Sequence, residues 1–186
     1  MIYLNNYGWN DKLSQLKQES TYNALTHGRI SIVHRTCYEV VSENGLFQCE
    51  LTGNMMYGKS DIELPCTGDW VLFQPFDEHK GIIVDMLPRE RTLYRKKNGT
   101  VADKQAIASY VDKAFIVQSL DDNFNVRRAE RFMVQMQEEN INPVLVFNKA
   151  DLGFDEQKVE EQIRHIARQI PVFFTSIHQP QTILQL

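Results

Sequence analysis

The sequence predicts an α+β protein of two domains, an N-terminal OB-fold β-barrel followed by a partial α/β domain. Three observations carry that expectation. Residues 28–92 hold short β-type runs separated by turn residues, with almost no helical periodicity. After residue 110 the pattern becomes strand, helix, strand, helix, strand. A tetrapeptide with chemical meaning, Asn148-Lys149-Ala150-Asp151, begins where one of these later strands ends.

Residues 1–27 read as an extension, with a short helix over about residues 10–25. Arg29 to Val41 reads as one strand-like run, closed by Ser42-Glu43-Asn44-Gly45, where Asn-Gly is a strong hairpin signal. Leu46 to Leu51 returns, and a loop follows from Gly53 to Gly68. Asp69 to Phe73 is the third run and Gly81 to Leu87 the fourth, stopped by Pro88. Four or five such runs between residues 28 and 92 fit a small closed barrel. Residues 93–110 read as a linker to the α/β part, 111–186.

In that second part, Ala114-Phe115-Ile116-Val117 is a continuous apolar run of the kind a parallel sheet buries on both faces. Asn125 is placed to cap a helix in which Val126, Ala129, Phe132, Met133 and Met136 recur at helical spacing. That stripe is core packing. Pro143 to Phe147 is the next strand, and Asp155 caps a second helix with Val159, Ile163, Ile166 and Ile170 on one face. Pro171 to Phe174 is the third strand, and the alternation argues for right-handed βαβ units.

Composition narrows the function. With 42% hydrophobic and 24% charged residues the chain has the balance of a globular protein. No apolar run approaches the ~20 residues that span a bilayer, and residues 1–10 have no basic-then-apolar leader, so no membrane partner and a cytoplasmic location are expected. Cys37, Cys49 and Cys66 are odd in number and at least twelve residues apart, which disfavours structural disulfides and a C-x-x-C zinc half-site. The net charge of −4 argues against a protein that coats nucleic acid, although Arg89, Arg91, Arg95, Lys96 and Lys97 fall in a stretch with one acid, Glu90.

Asn148-Lys149-Ala150-Asp151 is the N-K-x-D signature with which GTPases read guanine. Open α/β sheets bind ligands in the loops leaving the carboxyl ends of their strands, which is where it lies. The Asp151 carboxylate is suited to accept hydrogen bonds from guanine N1–H and the exocyclic amine. Adenine lacks that donor pair and would leave the carboxylate unpaired. The Asn148 amide can tie the loop to its neighbours, and the aliphatic stem of Lys149 can lie along the base plane. Thr175-Ser176-Ile177 ends the next strand, where GTPases usually place a Ser-Ala pair whose backbone N–H meets guanine O6; Ile177 departs from that alanine.

Gly53-Asn54-Met55-Met56-Tyr57-Gly58-Lys59-Ser60 matches the phosphate-loop string G-x-x-x-x-G-K-[ST], which would make this a conventional-order NTPase. Its context argues otherwise. A phosphate loop opens a helix whose N-terminus donates N–H groups, and here Asp61 to Leu64 runs into Pro65 and Gly68. No D-x-x-G magnesium motif lies between it and Asn148.

From about Gly28 to Ser176 the chain resembles the circularly permuted GTPases of the ribosome small-subunit-dependent GTPase A family (RsgA, also called YjeQ). The blocks that carry the resemblance are Gly28-Arg29-Ile30, Gly68-Asp69-Trp70-Val71, Leu87-Pro88-Arg89, Gln105-Ala106-Ile107-Ala108, Val111-Asp112, Ser119-Leu120-Asp121, Phe124 to Arg131 and Asn148 to Leu152. Ser109-Tyr110 stands where the family usually has Ala-Asn. The resemblance implies an OB domain, then a three-layer, P-loop-GTPase-like G domain whose guanine-binding motifs precede its phosphate loop, then a zinc-binding tail. It implies GTP hydrolysis coupled to late maturation of the small ribosomal subunit, with the OB domain on its rRNA. Arg29, Arg35, Lys59, Arg89, Arg91, Arg95, Lys96 and Lys97 are then RNA contacts, and Asn148, Lys149, Ala150, Asp151, Ser176 and Ile177 hold GTP. The phosphate loop, the switches, Mg²⁺ and the Zn²⁺ site would belong to a segment after Leu186, so this chain is expected to be a fragment without catalytic residues. The strand Ala114 to Leu120 is then expected to have a bare edge, open to pairing with another chain. The competing reading is an OB-fold RNA-binding module whose α/β part is a non-catalytic remnant.

Overall fold

Alternating apolar and polar residues close the first half of the chain into a barrel. In a computed structural model, which describes residues 1–57, 59–96, 104–122, 124–153, 155–168 and 170–186, the chain divides into two units, Met1–Val111 and Asp112–Leu186. The barrel strands are β1 (Thr26–Val33), β2 (Tyr38–Ser42), β3 (Gly45–Leu51), β4 (Trp70–Asp77) and β5 (Lys80–Met86), closed in the order β1-β2-β3-β5-β4. β3 runs parallel to β5, and β4 returns antiparallel to β1, which completes the ring. Along β3, Phe47 and Cys49 point inward while Leu46, Gln48 and Glu50 face out. Ile30, Val40, Phe73 and Ile83 fill the interior with them. Gly28 permits the close crossing of β1 over β2, because a Cβ there would sit 2.5 Å from Val40 Cγ1 and 2.7 Å from the Val41 carbonyl.

The structure refines three expectations in this unit. Arg29 to Val41 is two strands, because His34–Cys37 turns the chain, with the His34 N–H donating to the Cys37 carbonyl at 2.8 Å. That turn holds no Gly, Pro or Asn, so the run looked unbroken in sequence. The 53–68 loop contains one short helix, α2 (Gly53–Met56), which inserts Met55 into the barrel core. Residues 93–110 are more than a connector. β6 (Leu93–Lys96) pairs antiparallel with β7 (Lys104–Ala108), and the Ser109 N–H reaches the Thr67 carbonyl at 2.9 Å. The extension packs too: α1 (Asp11–Glu19), capped by the Asn10 side chain, buries Leu13, and with Leu4 it covers Trp70, Val41, Leu72 and Leu87.

In the second unit, β8 (Lys113–Ser119), β9 (Asn142–Asn148) and β10 (Val172–Phe174) form a parallel sheet in the order β10-β9-β8. Helices α3 (Val126–Glu138) and α4 (Glu156–Ala167) connect them, capped by the side chains of Asn125 and Asp155. Both helices cover the sheet face that carries Ile116, Leu145 and Phe147, against Ala129, Met133, Val159, Ile163, Ile166 and Ile170. Phe132 lies off the centre of its helical stripe and is half exposed, unlike Ala129, Met133 and Met136. The other face is open at β8, where Phe115 and Val117 are 53% and 60% exposed, so that run is buried on one face rather than two. The short helix α5 (Pro180–Ile183) follows β10. Among the described residues, no helix is long and apolar enough to cross a membrane.

Candidate functional site

β9 ends at Asn148, and the backbone then turns sharply. Lys149 adopts φ 62° and ψ 35°, a 3-10 turn spans Ala150–Leu152, and Gly153 takes φ 73°. Two neighbouring loops hold this turn. From the β8 end, the Leu120 N–H donates to the Asn148 carbonyl at 2.9 Å. From the β10 end, the Ala150 N–H donates to the Thr175 carbonyl at 3.1 Å, and the Thr175 N–H to the Phe147 carbonyl at 2.8 Å. The Thr175 hydroxyl also lies 3.4 Å from the Asn148 amide oxygen. The signature is therefore fixed from both sides at the carboxyl edge of the sheet, where such folds place ligands.

Its carboxylate is oriented and still accessible. Ser176, fully buried, donates its hydroxyl to Asp151 Oδ1, and the same hydroxyl accepts the His178 N–H at 3.0 Å. The Ser176 hydrogen bond, first among several causes, holds the Asp151 carboxyl below its usual range. Asp151 thus presents an ionised acceptor in a set direction while remaining exposed. The Ser176 N–H is taken by the Thr182 hydroxyl at 3.0 Å, and the Ile177 side chain points into solvent. Asn148, Lys149, Ala150, Asp151, Ser176 and Ile177 are all brought to one end of the sheet. Sequence reasoning missed Asp121 as a member of this group; its signal was Ser119-x-Asp121 at the end of the neighbouring strand.

The basic residues separate into two sets. Arg29 donates to the Gly68 carbonyl at 3.0 Å and to the Tyr7 carbonyl, and its guanidinium lies over the Trp70 ring. Arg89 is deeper. It grips the buried Asp69 carboxylate with Nε at 2.9 Å and Nη2 at 2.7 Å, and its remaining donors meet the Ile62 and Leu64 carbonyls. Burial alone would lower its pKa, but the hydrogen bonds and charge of Asp69 outweigh this and raise it. These two arginines are committed to the fold. Arg91 pairs with Glu90 at 3.2 Å and is half-buried. Arg35 on the β1–β2 turn and Lys59 are exposed, and Arg95, also exposed, donates to Gln105 at 3.1 Å. Lys96 continues β6, and Lys97 lies outside the described residues. The phosphate-loop string gains no support: α2 precedes its second glycine, and after Lys59 the described chain makes a turn in which Ser60 binds Glu63. Cys49 and Cys66 are free thiols that burial pushes up to about 12, which makes them inert packing groups.

A five-stranded barrel of OB topology, followed by a parallel α/β sheet whose central strand ends in an N-K-x-D turn, defines the class: an OB-like barrel joined to an α/β unit with the fold of a circularly permuted GTPase. Residues 86–186 match the RsgA GTPase family, and the chain belongs to that family. It is 72% identical over 180 residues to small ribosomal subunit biogenesis GTPase RsgA 1 of Bacteroides thetaiotaomicron, an alignment covering 97% of this chain and 51% of that protein. It is 33% identical to RsgA of Methanosarcina acetivorans, over 89% of this chain and 44% of that one. In fold it is similar to YjeQ from Thermotoga maritima (TM-score 0.60, 24% identity, 81% of this chain and 51% of that one). It is likewise similar to YloQ, a circularly permuted GTPase (TM-score 0.58, 21% identity, 90% and 57%). The chain spans about half the length of the curated relatives it matches.

Proposed function

We propose that the second unit of this chain is the guanine-reading wall of a GTPase that acts in small-subunit biogenesis, and that the barrel is its rRNA-binding domain. The observation that carries the first half is the Asp151 carboxylate, ionised, exposed and aimed by the buried Ser176 hydroxyl. A carboxylate so held recognises adjacent N–H donors on one edge of a purine, which guanine has and adenine lacks. GTP is thus the nucleotide the site fits. Mg²⁺ and Zn²⁺ are implied by the family resemblance alone, and no residue of this chain is assigned to either.

The test is Asp151→Asn in the 186-residue chain, titrated with GDP and xanthosine diphosphate. Xanthine carries a carbonyl where guanine carries the amine, so an amide at 151 should invert the preference by roughly tenfold. Unchanged selectivity would sink the assignment.

Support for the barrel's role comes from the exposed Arg35 and Lys59, Arg35 lying on the β1–β2 turn with which OB-folds contact oligonucleotides. Arg35→Ala with Lys59→Ala should weaken binding to small-subunit rRNA and lower its salt slope by about two. An unaltered slope would remove these two residues from the interface. An RNA-binding module with a non-catalytic α/β remnant predicts the same RNA result, and only guanine selectivity separates the two readings.

A further inference from the structure

The N-K-x-D signature accounts for Asn148 and Asp151, but not for the backbone of Lys149. That residue sits at φ 62° and ψ 35°, a left-handed conformation that a lysine adopts rarely. The turn sends its side chain toward the neighbouring strand end, where Nζ lies 2.6 Å from Asp121 Oδ2. Asp121 comes from the loop leaving β8 and stands 28 residues before its partner. Its other oxygen, Oδ1, accepts the Ser119 hydroxyl at 2.6 Å. Between the two, the Leu120 N–H donates to the Asn148 carbonyl, so backbone and side-chain bonds join the same pair of loops. The Asp121 side chain is 23% exposed and that of Lys149 51%. The carboxylate is thus a sheltered fixed point that holds the end of a half-exposed lysine side chain, two residues before Asp151.

We propose that Asp121, held by Ser119, is a positioning residue for guanine recognition: it tethers the Lys149 ammonium so that the aliphatic stem is laid out as one wall for the purine face. The inference rests on the guanine reading above and adds to it a residue outside the signature. Its physical basis is preorganisation. An untethered surface lysine samples many rotamers, and a base packing on its stem must freeze them. The ion pair freezes them before the base arrives, so less is lost on binding. The pair is half-exposed and adds little to fold stability. Because the stem meets the face of the purine and not its edge, the tether should act equally on guanine and xanthine, leaving edge selectivity to Asp151.

The test uses the 186-residue chain, followed by ¹H–¹⁵N spectra during titration with GDP and with xanthosine diphosphate, in wild type, Asp121→Asn, Asp121→Glu and Asp151→Asn. Asp121→Asn is expected to weaken both nucleotides by about threefold to tenfold while keeping the GDP preference. It should also move the Lys149 amide signal without nucleotide. Asp121→Glu, which keeps the charge, should recover most of the loss. Equal GDP affinity in wild type and Asp121→Asn overturns the tether alone, as does a loss that Asp121→Glu fails to recover. A changed GDP-to-xanthosine preference in Asp121→Asn also overturns it. A wild-type chain that does not prefer GDP, or an Asp151→Asn chain that does not invert the preference, overturns the guanine reading and the tether with it.

Discussion

Removing the Arg89 guanidinium would leave the Asp69 carboxylate, whose side chain is fully buried, without its counter-charge. The same change would strip two carbonyls, those of Ile62 and Leu64, of their donors. Breaking a buried pair from one side costs more than the pair's net worth, because the orphaned charge stays in low dielectric. Arg89→Ala should therefore destabilise the barrel by about 3–5 kcal/mol, measured by denaturant unfolding followed at Trp70. Arg89→Lys should recover only part of this, since one ammonium cannot reproduce a fork that serves a carboxylate and two carbonyls. Asp151 behaves oppositely. Its carboxyl is exposed and held by a single hydroxyl, so its substitution should alter recognition while leaving folding intact.

At the scale of elements, the informative strand is β8. It pairs with β9 on one side, and among the described residues it has no strand on the other. Its open face adds Phe115 and Val117 to that bare edge. Unpaired N–H and C=O groups beside apolar side chains invite another strand. The chain should self-associate with rising concentration, and Val117→Lys should suppress this, as read by sedimentation or light scattering. Association unaffected by the lysine would place the contact elsewhere. The opposite face needs no such partner, because α3 and α4 already bury Ile116 and its neighbours.

For the whole molecule, the recognition and catalytic parts of a GTPase are separable in principle. Most nucleotide affinity and all of the catalysis come from phosphate and Mg²⁺ contacts. The 186-residue chain presents an oriented N-K-x-D turn, while after Lys59 its phosphate-loop string leads into a turn in which Ser60 binds Glu63. Tested alone, the chain should bind guanine nucleotides weakly and hydrolyse no GTP. Turnover above background that disappears on Asp151→Ala would refute this.

Much of the scheme was legible in the residues themselves. Hairpin signals, the strand–helix alternation and the caps Asn125 and Asp155 are local features, set by backbone preference and by hydrogen bonds over three residues. The N-K-x-D turn was legible for the same reason, since four contiguous residues carry its chemistry. What lay hidden depended on contacts between distant segments. Arg29 and Arg89 look like free surface cations, yet hydrogen bonds to the Gly68 carbonyl and to the buried Asp69 tie them to the barrel. Residues 93–110 look like a connector until pairing shows a hairpin. The contact between Asp121 and Lys149 could not be read from either motif; only parallel pairing of β8 with β9, Ser119 opposite Asn148, brings their loops together. The sequence by itself determined most of the order of elements and the residue types of the N-K-x-D turn. The tertiary structure alone decided which charges face solvent and which side chains hold that turn in place, because burial and long-range pairing depend on what folding places nearby.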